Sequence, residues 1–247
     1  MGAIGNTIID LEEADSTNLY AERMLKKGTI EEGTVIIAKN QTAGRGQGEN
    51  RWQSESGRNL TFTVILHPTF LLACQQFLIN KVISLGVYDF LCDYVQEVCI
   101  KWPNDILISA KKVGGILIQH VVNNEMLETT IAGVGINVNQ THFDHHLSCA
   151  VSLVQILGQE LVLKDTLHQL ISSLEVKYAV LRQKEFDLLE SEYCTALLGY
   201  NEKRRYNIGE EMVDGIIRGV DEFGRLLVEI SGKPVKAFNH TEIEYIL

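Results

Sequence analysis

A short glycine-rich stretch between two apolar runs constrains the fold of this chain most. Residues 41–52 read QTAGRGQGENRW and contain almost no side chain that belongs in a hydrophobic core. β-Branched and apolar residues dominate the flanking runs 34–38 and 59–66, which is typical of β-strands. Glycines between strands can bring backbone N–H groups close to an anion, and Arg45 adds a planar cationic fork. The pattern predicts an anion-binding loop, and a flexible hairpin is the alternative.

Upstream of this loop, the sequence predicts a strand over residues 4–11 and a helix over residues 19–27. Residues 15–18 read Asp-Ser-Thr-Asn, and Gly28 follows the helix. Asp and Ser are favoured N-cap residues, and glycine is the usual helix stop. Taken alone, these polar residues are explained as caps. Alternatively, their hydroxyl and amide groups at the positive helix end meet a polar ligand group.

Downstream, residues 70–94 predict one long apolar helix that belongs to the core. Residues 98–119 then predict short strands joined by turns, with Lys101, Asp105 and Lys112 near one end of a hairpin. A Lys–Asp pair beside a turn is usually a solvated surface feature. The adjacent glycines 114 and 115 are less usual, because glycine weakens a strand and often marks close approach by a ligand.

The pattern of predicted secondary structure changes in the final fifth of the chain. Helical periodicity covers residues 163–178 and 186–198, whereas four or five short strands separated by turns follow Gly199. This change predicts an α+β fold with a large domain over residues 1–198 and a small C-terminal β-barrel over residues 199–247.

Charge and cysteine content limit the partners and the compartment. The net charge of −10 argues against a broad nucleic-acid-binding surface, although a local basic pocket is compatible with it. The five cysteines are scattered and odd in number, which favours reduced thiols. Residues 1–10 lack the pattern of a signal peptide, and no apolar run reaches the length of a membrane span. We expect a cytoplasmic protein that binds neither nucleic acid nor membrane.

One histidine-containing stretch is a candidate metal site. Residues 142–146 include His142, Asp144, His145 and His146, but they lack a helical His-x-x-x-His frame and cysteine partners. A hydrated loop explains them, and we predict no metal site formed by these residues.

Five motifs then occur in a diagnostic order: DSTN, QTAGRGQ, KWPNDI with a lysine seven residues beyond its Asp, GGILIQ and VGINVNQ. Each motif alone is weak, but together they make the chain resemble the biotin protein ligases. The resemblance implies a catalytic domain with a mixed β-sheet flanked by helices, similar to the class II aminoacyl-tRNA synthetases, and an SH3-like C-terminal barrel. Because the motifs start within the first 20 residues, we expect a short form without the DNA-binding domain of some relatives.

The family activity implied by this resemblance has two steps. Biotin is activated with ATP and Mg²⁺ to biotinyl-5′-AMP, with release of pyrophosphate, and is then transferred to a lysine of a biotin carboxyl carrier protein domain. Biotin and ATP are therefore the expected small-molecule substrates, and the carrier domain of a biotin-dependent carboxylase is the expected protein partner. A homodimer is left open.

The resemblance also implies roles for individual residues. The expected catalytic residues are Lys112, Arg45 and Asp105. The expected biotin-binding residues are Ser16, Thr17, Asn18, Gln41, Gly44, Arg45, Gly46, Gln47, Lys112 and Gly115. The expected ATP-binding residues are Arg45, Arg51, Trp52, Lys101, Asn104, Asp105, Lys112 and Asn137. Cations suit this chemistry because attack of a carboxylate on a phosphate brings two anions together.

The loop departs from the family pattern at three positions. Many relatives read GRGRxGRxW, whereas this chain has Gln47 for the second arginine, Glu49 for a glycine and Asn50 for an arginine. Arg51 is the nearest substitute for the missing charge. Two alternatives to a biotin ligase stay open: a lipoate or octanoate ligase of the same superfamily, and a catalytically inactive carrier-binding or ligand-binding protein.

Overall fold

A seven-stranded mixed sheet forms the centre of the molecule. The computed structural model describes residues 4–147 and 149–246. The strands of the large sheet are β1 (Ile8–Ala14), β2 (Val35–Gln41), β3 (Leu60–Leu66), β4 (Val98–Lys101), β5 (Asp105–Ile108), β6 (Lys111–Asn123) and β7 (Met126–Ile136). They lie in the order β1-β2-β3-β7-β6-β5-β4, with β1 parallel to β2 and the other neighbours antiparallel.

Helices cover both faces of this sheet because alternate strand residues point to opposite sides. The helices are α1 (Thr17–Lys27), α2 (Phe77–Cys92), α3 (Leu153–Leu157), α4 (Leu163–Arg182) and α5 (Phe186–Ala196). A small cluster that includes Ala21 of α1 and Ile65 of β3 is buried on one face. Phe62 and Val64 of the same strand belong to the main core, which also contains α2 and α4. Within the described ranges, none of the helices has the length and apolar character needed to cross a membrane.

The predicted helix over residues 70–94 is wrong at its start. The helix α2 begins at Phe77, and a single 3₁₀ turn, Ala73–Gln75, precedes it. Two backbone hydrogen bonds, of 2.7 and 3.0 Å, join residues 71–73 to residues 125–127 at the start of β7. Pairing with β7 therefore overrides the local helical pattern. The first strand also begins later than predicted, at Ile8.

The C-terminal residues form a separate antiparallel sheet, as predicted from the short strands that follow Gly199. Its strands are β8 (Lys203–Ile208), β9 (Glu211–Val220), β10 (Leu226–Ile230), β11 (Val235–Phe238) and β12 (Glu244–Tyr245). They lie in the order β11-β10-β9-β8-β12. The α+β class with a mixed sheet and a C-terminal β unit is confirmed. Closure of this sheet into an SH3-like barrel and the domain boundary at residue 199 stay predictions.

The small sheet packs against the turn that follows β4. The indole nitrogen of Trp102 donates a hydrogen bond of 2.9 Å to the carbonyl of Gly224. A Cβ atom at Gly224 would come within 2.4 Å of the Phe77 ring, so α2 also touches this turn of the small sheet. One continuous hydrophobic cluster contains buried residues of both sheets. The turn that carries Asn104 and Asp105 is therefore held from the C-terminal side.

Candidate active site

The floor of the candidate site is a line of paired residues that crosses four strands. Thr61 on β3 pairs with Gly135 on β7, which in turn pairs with Gly115 on β6. Gly115 pairs with Asp105 on β5. The two central positions have no side chain, so the sheet surface is bare there and other groups can lie directly on it. A cavity of about 520 Å³ lies over this line of residues.

Trp52 lies on this bare floor. A Cβ atom at Gly135 would come within 2.4 Å of the indole, and one at Gly115 would come within 3.4 Å of it. The backbone N–H of Trp52 donates to the carbonyl of Gly44 at 3.0 Å. The indole Nε1 atom is buried and has no hydrogen-bond partner among the described residues. Because an unpaired buried donor is costly, this atom is suited to an acceptor on a ligand.

The start of α1 forms one wall of the cavity. Ser16 occupies the N-cap position, but its side chain makes no capping hydrogen bond, so capping alone does not explain the polar residues here. Thr17 and Asn18 are buried as well. The backbone N–H of Thr17 donates to the side-chain oxygen of Gln41 at 2.8 Å, which ties the helix start to the end of β2.

Asn18 occupies a place prepared by a glycine. A Cβ atom at Gly133 would come within 2.4 Å of the Asn18 side-chain oxygen. The Asn18 amide nitrogen donates to the Leu117 carbonyl at 3.1 Å, and the Thr63 hydroxyl donates to the Asn18 oxygen at 2.6 Å. Leu117 and Thr63 both pair with Gly133 in the sheet. The buried amide is therefore held from two neighbouring strands.

The glycine-rich stretch is a hairpin that folds over the cavity. Arg45 pairs with Arg51 in antiparallel register, and the Gly46 N–H donates to the Asn50 carbonyl at 2.8 Å. A Cβ atom at Gly44 would come within 2.4 Å of the Trp52 carbonyl oxygen, so this position has no space for a side chain. Two like charges opposite each other are unfavourable unless an anion lies between them. The hairpin therefore presents a site that favours an anion.

Lys112 contributes the third cation of the cavity. Its Nζ atom lies 2.5 Å from a carboxylate oxygen of Asp105 and 6.0 Å from the centre of the Trp52 ring. The Lys112 side chain is 39% exposed and that of Asp105 is 23% exposed, so both are accessible from the cavity. Among the described lining residues, three cations face one carboxylate. The cavity is thus locally positive in a chain whose net charge is −10.

Most of the predicted site residues line this one cavity. They are Ser16, Thr17, Asn18, Gln41, Arg45, Gly46, Gln47, Arg51, Trp52, Asn104, Asp105, Lys112 and Gly115. Lys101 lies elsewhere, with its Nζ atom 5.7 Å from the centre of the Tyr245 ring. Asn137 is buried beyond the floor, and its amide donates to the Val151 carbonyl at 3.1 Å. Lys101 and Asn137 are therefore not among the residues that line the cavity, although the Asn137 N–H donates to the carbonyl of Val113, beside Lys112, at 2.8 Å.

Several lining residues were missed from the sequence. They are Asn50, Gln53, Thr61, Phe62, Ile116, Leu117, Gly133, Val134, Gly135 and Leu147. Two signals point to some of them. Glycines alternate at positions 133 and 135, and threonines alternate at 61 and 63 in an otherwise apolar strand. With a period of two, each pair must lie on one face of its strand.

The donor set near Asp105 suits a magnesium ion that arrives with a nucleotide. Among the residues that the structure describes, no group of three or more His, Cys, Asp and Glu side chains is arranged to hold a metal. Magnesium is commonly held by one or two carboxylates together with substrate phosphates. Asp105 and the Asn104 side-chain oxygen fit that role. The side chain of His146, considered above, lies outside the described part of the chain.

Comparison with known proteins agrees with this geometry. Residues 11–137 match the biotin/lipoate A/B protein ligase family. The chain is 29% identical to the bifunctional ligase/repressor BirA of Bacillus subtilis over 246 residues, which cover 98% of this chain and 74% of that protein. It is 25% identical to the biotin–[acetyl-CoA-carboxylase] ligase of Mycobacterium tuberculosis over 228 residues, which cover 90% of this chain and 83% of that protein.

A solved structure is similar over almost the whole chain. The biotin protein ligase from Aquifex aeolicus, in complex with biotin and ATP, matches with a TM-score of 0.79 and 26% sequence identity. The match covers 97% of this chain and 98% of that one, and it confirms the expected biotin protein ligase fold. Because the family match spans more than half of the 247 residues, the chain belongs to the biotin/lipoate A/B protein ligase family.

Proposed function

We propose that this chain is a biotin–[biotin carboxyl carrier protein] ligase. It activates biotin with ATP to biotinyl-5′-AMP, releases pyrophosphate, and then transfers the biotinyl group to a lysine of a biotin carboxyl carrier domain. The observation that carries the proposal is that one cavity joins a buried wall of amides and hydroxyls to a set of three cations. The names of the similar proteins support the same activity.

The polar wall suits the cyclic urea of biotin. The Gln41 side-chain oxygen already accepts the Thr17 N–H, so the Gln41 amide hydrogens remain for a ligand carbonyl. The oxygens of Thr17 and Asn18 suit ligand N–H donors. A urea ring offers one carbonyl and two N–H groups, and it must find partners for them when buried. Each unsatisfied group would cost about 1–3 kcal/mol.

The cations suit the first chemical step. A carboxylate oxygen of biotin attacks the α-phosphorus of ATP, and the bond from this phosphorus to the leaving pyrophosphate breaks. Arg45, Arg51 and Lys112 lower the repulsion between the two anions and stabilise the charge that develops on oxygen. Correct placement of the two reactants can contribute roughly 7–11 kcal/mol, which exceeds the effect of any single cation.

Magnesium, held by Asp105 and Asn104 with the nucleotide, would supply charge neutralisation for the departing pyrophosphate. In the second step, the neutral amine of the carrier lysine attacks the acyl carbon of biotinyl-5′-AMP, and AMP leaves with the bonding electrons. Asp105 is the nearest carboxylate in the cavity to accept or orient the proton that the amine loses. Its ion pair with Lys112, at 2.5 Å, supports this role because it brings the carboxylate to a cationic nitrogen in the cavity.

Exchange of labelled pyrophosphate into ATP tests this function. We expect exchange only when biotin is added, because exchange requires reversible formation of the adenylate. Exchange with lipoate or octanoate instead of biotin would indicate the ligase of the alternative substrate class. Absence of exchange with all three acids, in protein that binds biotin, would indicate a ligand-binding protein.

The substitution Lys112→Ala should strongly reduce adenylation while the fold is retained. Loss of a single donor to a developing oxyanion reduces turnover by about 10²- to 10³-fold. The measurement is biotin-dependent exchange together with thermal unfolding followed by circular dichroism. Lys111→Ala is the matched control, since Lys111 is an exposed neighbour on the same strand and does not line the cavity. Wild-type exchange in Lys112→Ala would contradict the role given to this lysine.

A further inference from the structure

We infer that Thr63, together with Gln119 and Glu22 behind the cavity wall, fixes which atoms of this wall accept hydrogen bonds from the ligand. Thr63 is fully buried and does not line the cavity itself. It is a positioning residue, because it acts on the ligand only through Thr17 and Asn18. The inference rests on the proposed function, since it specifies how the cyclic urea is recognised.

A chain of hydrogen bonds runs from Glu22 on α1 through Gln119 to Asn18, and the donor and the acceptor of each bond are fixed. An ionised carboxylate only accepts hydrogen bonds, so Gln119 must turn its amide nitrogen toward Glu22, at 3.0 Å. The Gln119 oxygen then accepts from the Asn18 nitrogen at 3.2 Å. The Leu117 carbonyl, which also only accepts, takes the second hydrogen of this nitrogen at 3.1 Å. The Asn18 amide is therefore fixed with its oxygen toward Thr63.

The Thr63 hydroxyl has a single hydrogen and two oxygen neighbours. The Asn18 oxygen lies 2.6 Å away and the Thr17 hydroxyl oxygen lies 2.8 Å away. Because the Asn18 oxygen has no hydrogen to give, Thr63 must donate to it, or two acceptors would face each other at 2.6 Å. Thr63 then has only lone pairs left for Thr17.

The consequence is a wall that presents acceptors. The Thr17 hydroxyl must then give its hydrogen to Thr63 at 2.8 Å, because donation to the Gln41 oxygen at 3.2 Å would leave two lone pairs facing each other at the shorter distance. With its hydrogen used in this way, the Thr17 oxygen meets the ligand as an acceptor, and the second lone pair of the Asn18 oxygen does so too. This part of the wall therefore selects ligands with N–H donors, as found on the ureido ring.

The substitution Thr63→Val tests the inference, because valine has nearly the same shape but no hydroxyl. We expect the KM for biotin to rise about tenfold, within a range of roughly 5- to 150-fold for a lost partner of a buried polar group. The turnover number and the KM for ATP should stay unchanged, because the contact is equally present in the ground state and the transition state. Thr63→Ser keeps the hydroxyl and should restore the KM for biotin.

Two controls distinguish the loss of the Thr63 hydrogen bond from a general loss of stability. Thr130→Val removes another fully buried threonine hydroxyl, one that contacts His120 at 2.8 Å and lies away from the cavity. It should lower thermal stability without changing the KM for biotin. Biotin methylated on a ureido nitrogen lacks one N–H donor, so it should bind the wild type more weakly than biotin does. The affinity for biotin divided by the affinity for methylated biotin should be smaller in Thr63→Val than in the wild type.

A measurement on the free protein tests the same inference without biotin. Hydrogen exchange of the Asn18 side-chain amide, followed by NMR, should be slow in the wild type and faster by tenfold or more in Thr63→Val. The exposed Asn124 amide provides the reference rate. Unchanged exchange in Thr63→Val, or an unchanged KM for biotin in a folded variant, overturns the inference. If the wild type fails to use biotin but the exchange result holds, the proposed function fails and the polarity of the wall stands.

Discussion

Trp52 and Gly135 show how a single missing methyl group shapes the site. The indole lies where the Cβ atom of any other residue at position 135 would be, since that atom would come within 2.4 Å of the ring. The backbone of position 135 is paired on both sides, to β3 and to β6, so it has little freedom to move away. The ring must therefore be displaced if a side chain is added.

We expect Gly135→Ala to raise the KM for ATP about tenfold and to reduce the free energy of unfolding by about 1–3 kcal/mol, the usual cost of overpacking. Kinetic measurements and chemical denaturation check the two effects. In a Trp52→Ala background, the same substitution should have a smaller effect on the KM for ATP, because the two positions are in contact. If Gly135→Ala changed the KM for ATP equally in the wild type and in Trp52→Ala, the added methyl group would not be acting through the indole.

Gly28→Ala is the matched control. A Cβ atom at Gly28 would have no neighbour within 4 Å, and the φ angle of this residue is 170°, which any residue adopts. We expect no change in the KM for ATP.

Single residues differ in how well the sequence reveals them. Arg45 and Lys112 follow from their motifs, and both line the cavity. Thr63 has no motif of its own, because its role comes from burial beside Asn18, a residue 45 positions away. Lys101 lies on the same motif as Asp105, yet its side chain contacts the C-terminal sheet. Proximity in sequence does not determine which way a side chain on a strand points.

At the scale of the elements, the hairpin over the cavity is the part that departs from the family pattern. Gln47 lines the cavity from this hairpin, whereas Glu49 does not. Only the opposite strand of the hairpin, with Arg51, offers a second cation. If the loop binds phosphate as proposed, it does so with one charged donor fewer than the family pattern, which has arginine at position 47, would supply.

We expect Gln47→Arg to slow the release of biotinyl-5′-AMP by about two- to fivefold, the effect of one partly exposed charge pair. A chase with unlabelled biotin after formation of labelled adenylate measures this rate. Glu49→Gln is the control, because it changes the net charge of the hairpin by the same amount without adding a cationic donor. Release that is unchanged in Gln47→Arg, or equally slowed in Glu49→Gln, would argue against a specific contact.

The elements were predictable from local patterns, but their pairing was not. The stop of α1 before Gly28 and the turn within residues 44–52 follow from glycines, which act over a few residues. The register that aligns Thr61, Gly135 and Gly115 depends on contacts between strands far apart in sequence. The same long-range pairing shortens α2 at its start.

On the scale of the whole molecule, the two sheets share one hydrophobic cluster. The contact also includes the hydrogen bond from Trp102 to the Gly224 carbonyl, at 2.9 Å. Since Trp102 lies three residues before Asp105, the small sheet supports the turn that bears the cavity's carboxylate. Elements that share a core in this way unfold together.

We expect a single calorimetric unfolding transition, with equal calorimetric and van't Hoff enthalpies. Trp102→Phe removes the indole N–H and should lower Tm by about 2–4 °C, the effect of one lost hydrogen bond in a chain of this size, while the single transition is kept. Two resolved transitions in the wild type would show that the sheets are independent units.

The glycines at positions 115, 133 and 135 form a recess within a hydrogen-bonded sheet, and the Asn18 and Trp52 side chains lie in it. A recess between loops can widen or narrow as the loops move, whereas one formed by omitting side chains from paired strands keeps its outline. Its depth is already set when the strands pair during folding, before any substrate is present. The shape of this floor is therefore fixed when the chain folds. The hairpin above it is the part that can adjust to a ligand.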